Sequence, residues 1–149
     1  MNIAFILAGI GLGLMVGLSG TGSAIGLVIG GTSAIGAVKK KPETFGSALV
    51  LSALPATQGL YGFVCFILFS GFVSPEISVY QGALTLGAGI AMGLAALFSA
   101  IQQGKVCAAG ISAIGSGHDV FGNTFILAVF PEFYAILALV VSILITGLM

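Results

Sequence analysis

Residues 2–36 read NIAFILAGIGLGLMVGLSGTGSAIGLVIGGTSAIG and contain no charged side chain. About 20 consecutive apolar residues are enough for a helix to cross the hydrocarbon core of a bilayer. This segment therefore predicts a membrane-spanning helix that is long enough to project beyond the core. It lacks the basic region that begins a secretory signal peptide, and its apolar run is longer than such a peptide needs. We therefore expect it to be retained as the first transmembrane helix.

Three further apolar runs follow, at residues 44–73, 78–114 and 120–149, and short polar segments separate them. The chain of 149 residues is 58% hydrophobic and 5% charged, with a mean hydropathy of +1.25. A typical soluble domain carries about 25% charged residues. The sequence therefore predicts an all-α membrane protein of four transmembrane helices. The short connections predict two tandem antiparallel hairpins, residues 1–73 and residues 74–149.

Two features of the first hairpin recur in the second at one constant spacing. They are a Phe-Gly pair, at residues 45–46 and 121–122, and a mid-helix proline, at Pro55 and Pro131. This pattern predicts the duplication of one hairpin, with both copies in the same orientation. Such a parallel repeat suits a ring built from hairpins better than a transporter with inverted repeats.

The first helix carries glycines spaced four residues apart, at positions 9, 13 and 17 and again at positions 22, 26 and 30. Residues i and i+4 share a helix face, and small residues let helices approach closely in a membrane. The third helix repeats the pattern at Gly89 and Gly93. We therefore expect helices one and three to form a tightly packed inner layer, with helices two and four outside it.

Glu132 is the one carboxylate that lies deep within an apolar run. Glu132 and Gln103 are equally far from the loop between the third and fourth helices, so they are predicted at the same depth. Thr57, Gln58 and Tyr61 lie at a similar depth on the second helix. A carboxylate at the bilayer centre is costly unless it is protonated or paired with a cation, and hydroxyl and amide oxygens suit a hard cation such as sodium. The sequence therefore predicts an ion site at mid-membrane.

A proline, a lysine and the two cysteines within the apolar runs are expected to have structural roles. Pro55 removes a backbone hydrogen bond near Leu51 and is predicted to loosen that turn of the second helix. Lys105 lies two residues beyond Gln103 and so faces another side of the helix, where it is expected to extend toward the membrane surface. The two cysteines are expected to be small core residues; they are Cys65 and Cys107.

The lysine cluster at residues 39–41 predicts a cytoplasmic position for the first hairpin loop. By parity the second hairpin loop, with His118 and Asp119, lies on the same side, and both termini lie outside. The formal net charge is zero, so nothing in the composition favours a nucleic-acid partner.

Three segments resemble the rotor-ring proteolipid of bacterial and archaeal V/A-type ATPases, above all the K (or c) subunit of the sodium-translocating form. They are LPATQGLYG at 54–62, QGKV at 103–106 and EFYAIL at 132–137. The resemblance covers essentially the whole chain. It implies a homo-oligomeric ring in the cell membrane that turns against a membrane stator subunit and joins a central-stalk subunit. ATP would be hydrolysed in a separate soluble head, so this subunit would have no catalytic site and no organic cofactor.

The resemblance also implies an ion site, one for every four helices, that takes Na+ or H+ as the transported ion. The implied ligands are the backbone carbonyl of Leu54 and four side chains, those of Thr57, Gln58, Gln103 and Glu132. The resemblance also implies that Tyr61 donates a hydrogen bond to Glu132. All six positions carry the residue type of the sodium-binding members, which favours sodium. Pro131, directly before the glutamate, departs from the family's pattern and is able to shift the helix turn that carries the carboxylate.

Two other classes of membrane protein also consist of four helices. Small four-helix multidrug antiporters also use one membrane glutamate, but they place it in the first helix, near aromatic residues that bind the substrate. Four-helix membrane transferases that act on lipophilic thiol adducts need arginines for an anionic cosubstrate. Here the first helix has no acidic residue and the chain has no arginine, so the rotor-ring interpretation is favoured over both.

Overall fold

Four long apolar helical segments make up the protein, described here by a computed structural model over residues 2–149. Each is long and apolar enough to cross a membrane, which confirms the predicted multi-pass all-α fold. The segments are Ile3–Lys40, Pro42–Ser70, Val79–Gly115 and Phe121–Thr146. The first and third, named α1 and α4, have 38 and 37 residues. At 1.5 Å per residue each is longer than the hydrocarbon core is thick.

Helix α1 begins where the side-chain oxygen of Asn2 accepts a hydrogen bond from the backbone N–H of Ala4. The predicted end of this helix near Gly36 was wrong, because α1 continues to Lys40. Lys39 and Lys40 occupy its last turn, where positive charge is favoured by the negative end of the helix dipole. The lysine cluster is therefore largely helical rather than a loop.

The second segment is interrupted at its proline. Helix α2 spans Phe45–Ala53, a 3₁₀ turn spans Leu54–Ala56, and helix α3 spans Thr57–Ser70. Pro55 has no N–H to offer the carbonyl of Leu51, and that oxygen instead accepts from the N–H of Leu54 in a tighter turn. The predicted loosening at this proline is confirmed as a local change from α to 3₁₀ geometry.

Helices α1 and α4 pack against each other in parallel along their whole length. Ala4 contacts Gly82 near the start of both helices, and Ala37 contacts Gly115 near the end of both, so the residue numbers increase in the same direction along the pair. The two hairpins therefore run in the same direction. A Cβ atom placed on Gly104 would lie 2.6 Å from the carbonyl oxygen of Gly26, so only glycines allow this approach. The predicted close packing of helices one and three is confirmed.

The two predicted glycine lines of α1 have different environments. A Cβ atom on Gly22 would lie 2.5 Å from the Cα atom of Leu97, whereas one on Gly13 would have no neighbouring atom within 4 Å. The line at positions 22, 26 and 30 therefore packs inside the subunit, and the line at positions 9, 13 and 17 faces outward. Periodicity alone could not distinguish these lines, because both have the same spacing.

The buried core lies between α1, α3 and α4. Met15, Phe69 and Met92 are fully buried there, together with Cys65. Cys107 belongs to a second buried cluster nearer the hairpin loops. Both cysteines are free and buried, so their prediction as core residues is confirmed. Helix α5, Phe121–Thr146, packs on the outside of α4.

Candidate functional site

Glu132 lies half-buried in the middle of α5, and its two carboxylate oxygens are engaged by three side chains. Its Oε1 atom accepts from the Thr57 hydroxyl at 2.8 Å and from the Tyr61 hydroxyl at 2.8 Å. Its Oε2 atom accepts from Gln103 Nε2 at 2.9 Å. Side chains from α3, α4 and α5 thus meet at one carboxylate, so residues predicted to share one level along the helices do lie together.

The Thr57 hydroxyl is the point where most of the candidate ligand oxygens meet. Its oxygen lies 3.1 Å from the Leu54 carbonyl oxygen, 3.2 Å from Gln58 Oε1 and 2.8 Å from Glu132 Oε1. A hydroxyl has one proton to donate, so it donates to one of these three oxygens at a time. One carboxylate oxygen and three neutral oxygens in such close proximity form the kind of set that a hard cation prefers.

Gln58 and Gln103 form the inner wall of the site, and both are fully buried. Gln58 Nε2 donates to Gln103 Oε1 at 2.9 Å, and Gln103 Nε2 donates to the Ala128 carbonyl oxygen at 2.9 Å as well as to Glu132. Gln103 therefore presents its nitrogen to the carboxylate, whereas the family resemblance implies that its oxygen is a ligand. A half turn of this carboxamide would exchange the two atoms.

The break in the second segment positions the α3 side of this cluster. Helix α3 begins at Thr57, and the first N–H groups of a helix have no partner within it. The N–H of Gly59 finds one in α1, because it donates to Ser23 Oγ at 2.7 Å. Pro55 is buried and lies close against Gly26. The neighbouring helix thus holds the turn that carries the Leu54 carbonyl and the Thr57 hydroxyl.

Pro131 does not interrupt α5, which runs unbroken through it from Phe121 to Thr146. Glu132 reaches Thr57, Tyr61 and Gln103, so the proline does not withdraw the carboxylate from them.

Ser99 is a polar member of the cluster that the sequence analysis did not assign. Its hydroxyl donates to the Pro131 carbonyl oxygen at 2.8 Å and accepts from Gln58 Nε2 at 3.1 Å. A signal was available, because Ser99 precedes Gln103 by four residues and so shares its helix face. In residues 2–149, no buried side-chain nitrogen or oxygen is left without a hydrogen-bond partner.

Lys105 and the hairpin loop lie apart from this cluster. Lys105 is exposed, while its neighbour Gly104 packs against α1. His118 and Asp119 are exposed in the loop between α4 and α5. None of the three takes part in the side-chain hydrogen bonds found within residues 2–149. Their separation from the Glu132 cluster agrees with the sequence analysis.

An open apolar groove of about 780 Å³ lies beside the site, between α4 and α5. Ser99 and Pro131 contribute to its wall, and large side chains such as Phe98 and Tyr134 line its sides. The groove therefore opens directly beside the polar cluster, through the Ser99 and Pro131 part of its wall.

The sequence matches the ATP synthase C subunit family twice, over residues 10–69 and over residues 86–145. The chain therefore belongs to this family, whose members form ring oligomers. The first match covers most of α1 and of the second segment, and the second match covers most of α4 and α5.

Individual relatives agree with this assignment. The chain is 45% identical to the K subunit of the A-type ATP synthase of Methanocaldococcus jannaschii, over 93% of this chain and 61% of that protein. It is 44% identical to the K subunit of the V-type sodium ATPase of Enterococcus hirae, over 85% of this chain and 81% of that protein. The 16 kDa proteolipid of the human V-type proton ATPase is 25% identical over 86% of this chain and 83% of that protein. The resemblance to V/A-type rotor-ring proteolipids is thus confirmed, although the chain spans only 61% of the archaeal relative's length.

Proposed function

We propose that this chain is a rotor-ring subunit of a V/A-type rotary ATPase and carries one cation on Glu132, with sodium preferred over the proton. The observation that carries the proposal is the meeting of the Leu54, Thr57, Gln58 and Glu132 oxygens around one hydroxyl. A proton carrier needs only the carboxylate, whereas neutral oxygens placed beside it serve a metal cation. The sodium ATPase named among the relatives supports the same choice.

The side chains would divide the work of binding in the following way. Thr57, Gln58 and Glu132 supply side-chain oxygens, and Leu54 supplies its backbone carbonyl. Gln103 joins them after a half turn of its carboxamide. Its nitrogen then no longer donates to Glu132, and its oxygen faces the cation instead. Tyr61 continues to donate to the carboxylate and holds it in place.

Transport follows from neutralisation of the carboxylate. With a cation bound, Glu132 no longer presents a net charge to the lipid, so the ring can turn through the bilayer. At the stator, a fixed cation of the partner subunit would displace the transported ion from the carboxylate. Each ion moved against 100 mV costs about 2.3 kcal/mol, and ATP hydrolysis in a separate head would supply this energy through the central stalk.

The assembly implied by this function is a homo-oligomeric ring in the cell membrane. The two hairpins, residues 1–73 and 74–149, would form one subunit with one ion site. The lysines at the end of α1 support a cytoplasmic position for both hairpin loops, which would place both termini outside.

Labelling with dicyclohexylcarbodiimide, which attacks protonated carboxyl groups in apolar surroundings, tests the proposal. The purified protein in mild detergent is labelled with and without sodium, and the modified residue is found by mass spectrometry. We expect modification at Glu132 that sodium suppresses, with more sodium required at lower pH because protons compete for the same oxygens. The Glu132→Gln variant should assemble normally and remain unlabelled.

The other outcomes separate the parts of the proposal. Labelling at Glu132 that ignores sodium would assign the proton as the transported ion and contradict the sodium preference. Absence of labelling at Glu132 in the wild-type protein, or ion transport by Glu132→Gln, would refute the role of this carboxylate as the ion carrier.

A further inference from the structure

Ser99 connects the inner wall of the site to α5, because its hydroxyl is bonded both to Gln58 and to the Pro131 carbonyl. It lies on α4, one turn before Gln103, and only 6% of its surface is exposed. Its hydroxyl donates to the Pro131 carbonyl oxygen on α5 and accepts from Gln58 Nε2 on α3. Ser99 therefore joins three helices at the level of Glu132.

We propose that Ser99 is a positioning residue that fixes the direction of the Gln58 carboxamide, so that Gln58 Oε1 faces the transported cation. The inference rests on the proposed function, because it assigns Ser99 a role in the sodium affinity of that same site.

The argument begins with the proton of the Ser99 hydroxyl. A hydroxyl has one proton and two lone pairs, and the proton of Ser99 is directed to a carbonyl oxygen, which can only accept. Toward Gln58 the hydroxyl therefore offers a lone pair alone. It attracts the amide nitrogen of Gln58 and repels its oxygen.

The same restriction applies on the second side of Gln58. Gln58 Nε2 carries two protons, one donated to Ser99 Oγ at 3.1 Å and the other to Gln103 Oε1 at 2.9 Å. In the reverse orientation Gln58 Oε1 would face two acceptor oxygens, and a buried amide would lose both bonds. The orientation that satisfies Nε2 leaves Oε1 beside the Thr57 hydroxyl, at 3.2 Å.

Ser99 is the more permanent of these two restraints. When Gln103 turns its oxygen toward the cation, its own nitrogen comes to face Gln58 and the bond between the two carboxamides is lost. The bond to Ser99 does not depend on this rotation. Ser99 therefore holds Gln58 Oε1 in the binding direction during the step in which Gln103 changes partner.

Ser19 provides a matched control in the first hairpin. It is a fully buried serine on α1, but its hydroxyl donates to the Met15 carbonyl in its own helix, with the Val16 carbonyl as the alternative acceptor. Its removal deletes a buried hydroxyl without freeing any side chain of the ion site. Ser99→Thr serves as the conservative variant, because it retains a hydroxyl at the same position.

The experiment compares wild-type protein, Ser99→Ala, Ser99→Thr and Ser19→Ala in mild detergent. The readouts are the sodium concentration that halves carbodiimide labelling of Glu132, the labelling rate without sodium, and the thermal midpoint. For Ser99→Ala we expect this sodium concentration to rise about tenfold, equivalent to about 1.4 kcal/mol of binding free energy. The sodium-free rate should change little, Ser99→Thr should restore most of the affinity, and Ser19→Ala should resemble wild type.

Each contrary result has a distinct meaning. If Ser99→Ala needs no more sodium than wild type, or if Ser19→Ala weakens sodium protection as much as Ser99→Ala does, the positioning role is refuted while the sodium site stands. If sodium fails to protect even the wild-type protein, the proposed function fails in its choice of ion, and the role of Ser99 fails with it.

Discussion

Replacement of Gly104 by alanine tests how closely α1 and α4 must approach for the site to form. Gly104 directly follows Gln103 and faces α1. A Cβ atom at this position would lie 2.6 Å from the carbonyl oxygen of Gly26 and 2.8 Å from its Cα atom. Both neighbouring atoms belong to the backbone of a helix, so no side-chain rotation can relieve the overlap.

The size of the effect follows from these distances. An ordinary contact begins at 3.4 Å, so the two helices must separate locally by about 0.8 Å. Overpacking of this kind typically costs about 1–3 kcal/mol, and the upper part of that range applies because two helix backbones must move. Alanine also favours the helix by about 1 kcal/mol relative to glycine. The expected net destabilisation of Gly104→Ala is therefore about 2 kcal/mol.

Thermal unfolding followed by circular dichroism in mild detergent measures this change. A chain of this length shifts its midpoint by about 2–4 °C for each kcal/mol, so Gly104→Ala should unfold about 4–8 °C lower than wild type. Gly87→Ala is the control, because Gly87 lies on the same helix and has no neighbour within 4 Å of its Cβ position. It should unfold at or slightly above the wild-type midpoint. Equal midpoints for the two variants would refute the inference that backbone contact limits the α1–α4 distance.

Three further predictions concern the polar contacts of the site. Tyr61→Phe removes the hydroxyl that donates to Glu132 at 2.8 Å. Hydrogen bonds to charged groups are worth about 1.5–3 kcal/mol, so sodium protection against carbodiimide should weaken about tenfold or more. Tyr134→Phe, at an exposed tyrosine, should leave this protection unchanged. Thr57→Val deletes the oxygen around which the ligands meet and should abolish sodium protection in the same assay, while Thr57→Ser should retain the protection. Sodium protection in the valine variant would contradict the proposed ligand set. Ser23→Ala leaves the part-buried N–H of Gly59, at the start of α3, without its acceptor. It should lower the thermal midpoint by several degrees, a loss of about 1–3 kcal/mol; an unchanged midpoint would mean that water or another group replaces the serine.

The sequence was sufficient to predict the four spans and which polar residues share one level along the helices, because both follow from counting apolar residues and from the rise of a helix. Depth alone placed Gln103 level with Glu132, and the two are in contact. The sequence did not predict which glycine line of α1 packs against α4, since that choice depends on the rotation of the helix about its axis. It also missed Ser99, whose role depends on which way a hydroxyl and a carboxamide point.

The two prolines show why equivalent positions in a repeat do not predict equivalent structures. Pro55 lies close against Gly26 of α1, and the helix there changes to a 3₁₀ turn. Pro131 lies in the outer helix α5, which continues without a break. The loss of one backbone N–H is the same in both helices, so the surrounding packing must determine whether the helix geometry changes.

Under the proposed function, this difference affects which part of the site moves when the ion is released. Leu54 and Thr57 lie in the interrupted turn that packs against α1, and Gln58 is fully buried and held by Ser99. Glu132, by contrast, is half-buried on the outermost helix. If the proposed function is correct, a cation on the stator can therefore attract the carboxylate without displacing these oxygens. Under the proposed function, ion release is then mainly a movement of the Glu132 side chain and a half turn of the Gln103 carboxamide, and the Leu54, Thr57 and Gln58 oxygens stay arranged for the next ion.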